Sequence, residues 1–226
     1  MAIQLEKGQR INLEKDDGHQ MLNFCVGCNW GAIEVSTAPR LGGLLPGKKK
    51  LQSVDLDLSC IMFDASGNIR DHIYSPLYRK EFLDHYGLPP GKLDSRDGAL
   101  HHSGDDRQGD TDGDDGLDNE IITVDLKRTS PDIDKIFFFL NNCGPEDFSL
   151  IPYASIRMYE GTPDRVQSVF AQYNVASSAA YRGMRALIMG RLYRRGMVWK
   201  FAAIGDAYDD ANIGVTIHRI ARDYVR

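Results

Sequence analysis

The apolar residues of this chain recur mainly at every second position, and this constrains the fold most, because a period of two belongs to extended strands. In "MLNFCVGCNW" (21–30), Leu22, Phe24, Val26, Cys28 and Trp30 fall on one face. "AIQLEKGQRINLE" reads as two short strands joined at Gly8, and "SVDLDLSCIMFDASGNIRDHIY" as a hairpin turning at Asp64 to Asn68. Further strands are predicted at 120–126, 134–140, 153–160, 184–193 and 197–204, with 165–173 ambiguous. "GAIEVSTAPRLGGLLPGKKK" (31–50) reads as a solvated surface loop. Two segments break the pattern. "PLYRKEFLDHYG" (76–87) places Tyr78, Phe82 and Tyr86 on one helical face, opened by Pro76 and stopped at Gly87. Near the end, Ile213, Ile217, Ile220 and Tyr224 repeat at helical spacing over 210–225, behind Asp209 or Asp210 as N-cap. The expected fold is mainly β: a two-sheet β-sandwich of one domain, 1–226, with a short inserted helix and a C-terminal helix.

Charge is distributed unevenly. The chain carries −5, but "GDDRQGDTDGDDGLDNE" (104–120) sets eight acids against Arg107 and leaves the remainder at +2. A near-neutral body with one negative spot argues against general nucleic-acid binding, which needs a basic face. No apolar run approaches the roughly 18–20 residues of a membrane helix. The start shows no signal-peptide pattern, so a cytoplasmic location is expected. Four cysteines make no disulfide framework. Cys25 and Cys28, three apart on a strand, point to opposite faces and do not converge on a metal, while Cys60 and Cys143 stand alone in apolar surroundings, so all four read as small buried hydrophobes.

The acidic run is either a solvated loop or a cation site. Calcium takes six to eight oxygen ligands from carboxylates, carbonyls and water. Asp110, Asp112 and Asp114 alternate, and Gly109, Gly113 and Gly116 supply turns. An EF-hand is excluded: counting from Asp110, the sixth position is Asp115 rather than glycine and the twelfth is Ile121 rather than glutamate. In "VDLDLS", Asp55 and Asp57 share a strand face, a repulsion that a cation offsets and that a polar outer face would also explain. Magnesium, which prefers a rigid octahedron and keeps its waters, suits so many carboxylates less well. Two calcium ions would bring the run from −7 to −3.

The run resembles the acidic signature of the TerD family of tellurium-resistance and stress proteins, roughly G-D-N-x-x-G-x-G-x-G-D-D-E. "LEKGQRINLEK", "VGCNW", "VDLDLS…FD" and "MGRLYRRGMVWKFAAIGDAY" follow in family order, so the resemblance covers nearly the whole chain. It implies a calcium-binding β-sandwich, with two ions, acting in resistance to tellurite and other stresses. Matched positions are Gly104, Asp105, Gly109, Gly113, Asp114, Asp115 and Glu120, with Asp57 in the strand. The candidate ligands are therefore Asp55, Asp57, Asp105, Asp106, Asp110, Asp112, Asp114, Asp115 and Glu120. Asp106 stands where the family has asparagine, and "GLDN" (116–119) is inserted before Glu120, so Asp118 competes with it for the ion.

No nucleophile motif or phosphate loop is present, and carboxylates holding calcium are unavailable as general acids. The expected role is a non-catalytic binding or scaffolding module for proteins of a stress-response complex, a membrane-associated one among the candidates. Two rivals remain open. A calcium-dependent hydrolase would use His101 or His102 beside the ion. A calcium-mediated membrane-docking module would need apolar loop tips, of which the run offers only Leu117. Arg182, Arg185, Arg191, Arg194 and Arg195 read as solvated surface, because alternation scatters them.

Overall fold

The computed structural model describes residues 3–13, 18–36, 49–174 and 179–226. In chain order the strands are β1 (Ile3–Gln4), β2 (Arg10–Asn12), β3 (Asn23–Trp30), β4 (Ile33–Ser36), β5 (Lys49–Gln52), β6 (Leu56–Phe63) and β7 (Ile69–Ile73). Helix α1 (Lys80–His85) follows, then β8 (Leu100–His102), β9 (Glu120–Asp125), β10 (Lys135–Asn142), β11 (Ala154–Thr162), β12 (Arg165–Asn174), β13 (Ala186–Arg195), β14 (Val198–Tyr208) and helix α2 (Ile213–Asp223). One sheet has the order β1-β12-β11-β3-β9-β8, the other β2-β14-β13-β10-β6-β7. The ambiguous 165–173 segment is β12, antiparallel to β11. Gly8, at φ 80°, joins β1 to β2, which lie in different sheets, so the N-terminal segment stitches the two together.

Strand β10 accounts for the layering. Its run Phe137, Phe138, Phe139 is buried throughout, so both of its faces must be covered. Ile136, Phe138 and Leu140 meet the facing sheet in the main core, with Trp30, Leu58 and Ile122. Phe137 and Phe139 point the other way, with Ile61 and Phe63 of β6, and pack under Leu83 of α1 and Ile213, Ile217 and Ile220 of α2. A helical layer therefore lies on the outside of the second sheet. The Asp57 side of β6 is not a solvated outer face, because Asp57, Ser59 and Ile61 are all buried.

Some boundaries shift. Residues 76–78 form a turn ahead of α1, whose N-cap is Arg79, although Tyr78, Phe82 and Tyr86 do form a continuous ring ladder. The N-cap of α2 is Asn212, whose side chain accepts from Val215 N–H, in place of Asp209 or Asp210. Asp210 instead takes a bidentate contact from Arg219. Of the expected loop at 31–50, Ile33–Ser36 and Lys49–Gln52 form a two-stranded antiparallel sheet, and 37–48 lie outside the described residues. Among the described residues no helix is long and apolar enough to cross a membrane.

Candidate metal centre

Residues 104–119 connect β8 to β9 and fold across the ends of β3 and β6. Asp110 N–H donates to Trp30 O (2.9 Å), Ala32 N–H to Asp110 O (3.0 Å) and Val54 N–H to Gln108 O (3.3 Å). On the return, Asn119 N–H donates to Cys28 O (2.9 Å) while its Oδ1 accepts from Trp30 N–H (2.8 Å). Asp106 Oδ1 closes a tight turn by accepting from Gln108 and Gly109 N–H (2.8 and 3.2 Å). Gly109 is required there: its φ is 67°, and a Cβ would lie 2.5 Å from the Trp30 ring.

This path carries Asp105 to the β6 aspartates. Asp55, Asp57 and Asp105 each present an oxygen, all within 4.8 Å of one another. Asp57 is 4% exposed. Burial pushes its carboxyl up to about 7, against hydrogen bonds from Tyr78 O–H and from Cys143 Sγ (3.0 Å). Burial, then the neighbouring Asp105, also raises Asp55. Among the described residues the cation paired with the triad is the largely exposed Arg107, 3.7 Å from Asp55. Asp55 Oδ1 is buried without a hydrogen-bond partner. Crowded hard oxygens, little compensating charge and one orphaned carboxylate oxygen fit a divalent cation of the calcium type.

A second triad, Asp110, Asp114 and Asp115, meets the same 4.8 Å limit in the outer half of the loop. Among the described residues, the groups that orient it are neutral. Tyr153 O–H donates to Asp110 Oδ2 (2.9 Å), Asn119 Nδ2 to Asp110 Oδ1 (3.0 Å), Asn29 Nδ2 to Asp114 Oδ1 (2.9 Å) and Leu117 N–H to Asp115 Oδ1 (2.9 Å). Asn29 Oδ1 is buried and unpartnered, an amide oxygen of the kind calcium accepts.

The other candidates belong to neither triad. Asp106 is engaged in its turn and with Asn119. Asp112 is exposed, in the same surface hollow as Asp110 and Asp115. Glu120, 1% exposed, bridges three elements: it accepts from Leu58 N–H (2.7 Å) and Asp106 N–H (3.0 Å) and faces His102 Nε2 at 3.4 Å. The Asp118 side chain is fully buried against Arg157 (2.9 Å). His102 accepts Gly104 N–H at Nδ1, which puts the ring proton on Nε2, facing Leu58 O (2.9 Å). His101 is exposed and pairs with Asp94.

Cys25, Cys28 and Cys60 are buried, with Cys25 and Cys28 in different clusters, whereas Cys143 is exposed and hydrogen-bonds Asp57. Arg191 and Arg194 are tied down rather than solvated: Arg191 donates to Tyr224 O, and Arg194 donates to Ile133 O while lying over Trp199. Sequence reasoning missed Tyr78, Asn29, Tyr153 and Arg157, which orient the acidic residues from other elements. Of these, only Asn29, a polar residue among the apolar residues 24–30, left a signal in the sequence.

The TerD domain model matches residues 1–224. The chain is 33% identical to "Stress response protein SCP2" of Bacillus subtilis (strain 168), covering 97% of this chain and 99% of the relative. It is 29% identical to "Tellurium resistance protein TerD" of Alcaligenes sp, covering 92% of each. A crystal structure of a homologue of telluride resistance protein (TerD) from Streptomyces coelicolor A3(2) superposes with a TM-score of 0.55 at 15% identity, covering 90% of this chain and 97% of that one, which is a likeness of fold.

Proposed function

We propose, on the premise that this chain belongs to the TerD domain family, that it is a calcium-binding, non-catalytic stress-response and tellurite-resistance module whose acidic loop is ordered by two calcium ions and then presented to protein partners. The observation that carries this reading is the pair of carboxylate triads, each within 4.8 Å, the first holding the buried, unpartnered Asp55 Oδ1. Asp55, Asp57 and Asp105 would hold one ion, and Asp110, Asp114 and Asp115, with Asn29 Oδ1, the other. Bound calcium supplies positive charge that offsets the mutual repulsion of each triad. The chain's own residues do the positioning: Tyr78 steadies Asp57, Tyr153 and Asn119 steady Asp110, and the Trp30 backbone fixes the loop between them. Relatives named for tellurium resistance and stress response supply the cellular setting.

The non-catalytic reading is supported by the histidines. His102 is committed to Gly104 and Leu58, and His101 to Asp94. Membrane docking is the second reading, favoured by two exposed leucines, Leu77 (63%) in the hollow over the first triad and Leu117 (41%) beside the second. Co-sedimentation with anionic vesicles only when calcium is present would favour docking over the protein-scaffold reading.

Thermal unfolding after chelator treatment tests the calcium reading. Calcium at about 100 times its dissociation constant adds about 2.7 kcal/mol per site, which raises Tm by roughly 5–10 °C for each ion in a chain of this size. Magnesium at the same concentration gives a smaller rise. No change with calcium contradicts the reading.

A further inference from the structure

We propose that the cavity between α1 and the start of α2 is a binding site for a small organic anion that also carries a hydroxyl or amino donor. Its volume is about 420 Å³, within the range of about 300–1,000 Å³ usual for small-ligand sites. Leu77, Phe82 and Ile213 supply apolar wall, and Arg79, Asn141 and Asn212 polar groups; among the described residues no aspartate or glutamate lines it.

Two features favour an anion. Arg79 is exposed and makes no ion pair among the described residues. The first turn of the eleven-residue α2 also faces the cavity through Asn212 and Ile213. Asn212 covers Val215 N–H with its side chain and Thr216 N–H with its carbonyl. The N–H groups of Ile213 and Gly214 are left without intrahelical acceptors, as at any helix start, at the positive end of the helix dipole.

A third, independent feature calls for a ligand donor. Asn141 lines the cavity yet is 1% exposed. Its Nδ2 donates to Thr216 Oγ1 (2.9 Å), while the single Thr216 proton faces Asp210 Oδ2 (3.2 Å) and Asn212 O (3.4 Å), so Thr216 accepts from the amide and fixes its orientation. Asn141 Oδ1 is then buried with no partner. Such an oxygen is costly to leave unmade, and a hydroxyl or amino group on a ligand in the cavity would satisfy it. Leu77, Tyr78, Arg79 and Cys143 line both this cavity and the hollow over Asp55 and Asp57, so the two sites adjoin and share Arg79, while Asn141 and Asn212 belong to this cavity alone.

The test is an amide-resonance NMR titration of the full chain with 4-hydroxyphenylacetate in chelator-containing buffer, so that the outcome does not depend on the calcium reading. Saturable shifts are expected at residues around Arg79, Asn141 and Ile213. Arg79→Ala and Leu77→Glu, both at exposed positions that leave the fold intact, should each weaken binding about tenfold. Phenylacetate, lacking the donor, and tyrosol, lacking the charge, should each bind roughly fivefold more weakly. The proposal is overturned if no saturable shift appears up to about 10 mM, if the shifts map away from the cavity, or if both variants bind as the parent does.

Discussion

At Gly109 two requirements coincide, a φ of 67° and a Trp30 ring where a side chain would begin. Gly109→Ala should therefore cost about 2–4 kcal/mol in urea unfolding, combining backbone strain with overpacking; a loss below about 0.5 kcal/mol would show that the loop does not rest on Trp30. Glu120 is a separate case. Matched to the family signature by sequence, it is also the buried acceptor joining Leu58, Asp106 and His102. Glu120→Gln should cost about 1–3 kcal/mol with or without calcium, since one buried contact is lost, while calorimetry still counts two ions. Loss of one ion would instead make Glu120 a ligand. Asp55 and Asp57 were legible as candidates from alternation and charge, and Asp105 from its place in the acidic run and the family resemblance. Tyr78, Tyr153 and Arg157 were not, because nothing in a local pattern shows which distant hydroxyl or guanidinium a carboxylate will meet.

Strands and turns were largely readable from period-two alternation, as in β3 and the β6–β7 hairpin. The helical layer over the second sheet was less so. A strand reading of 134–140 does not reveal that Phe137 and Phe139 need a second cover, although three consecutive phenylalanines carry that signal. Ile217→Ala, emptying the centre of that layer, should cost about 2–5 kcal/mol by denaturant unfolding; a near-neutral result would mean the helix packs loosely. Strand β7 carries a pH-dependent contribution. Burial lowers the pKa of His72, whose ring stacks on Tyr74 at 4.6 Å and whose Nε2 faces Pro90 O at 2.9 Å. Folding therefore favours the neutral ring, so its contribution is complete above the unfolded value of about 6.5 and is lost as pH falls through the lower folded value. Tm should drop more between pH 7.5 and 5.5 in the parent than in His72→Gln; equal drops would remove His72 from the account.

At the scale of the molecule, two sheets enclose one apolar core while a loop too acidic to settle by packing is pinned to their end by backbone contacts to Trp30, Ala32 and Val54. The sandwich was legible because apolar residues alternate along several strands, β3 among them. Pairing across sheets was not, since the partners of β1 and β2 lie about 170 to 190 residues away, beyond any local pattern. The acidic run declared itself by charge, but its division into two triads depends on how the loop crosses β3 and β6. Calorimetric titration of calcium into chelator-stripped protein, run on the parent, Asp105→Asn and Asp110→Asn, tests that division most directly. Two separate triads give two ions in the parent and one in each variant. Absence of binding heat in the parent, or two ions retained in both variants, would contradict that division.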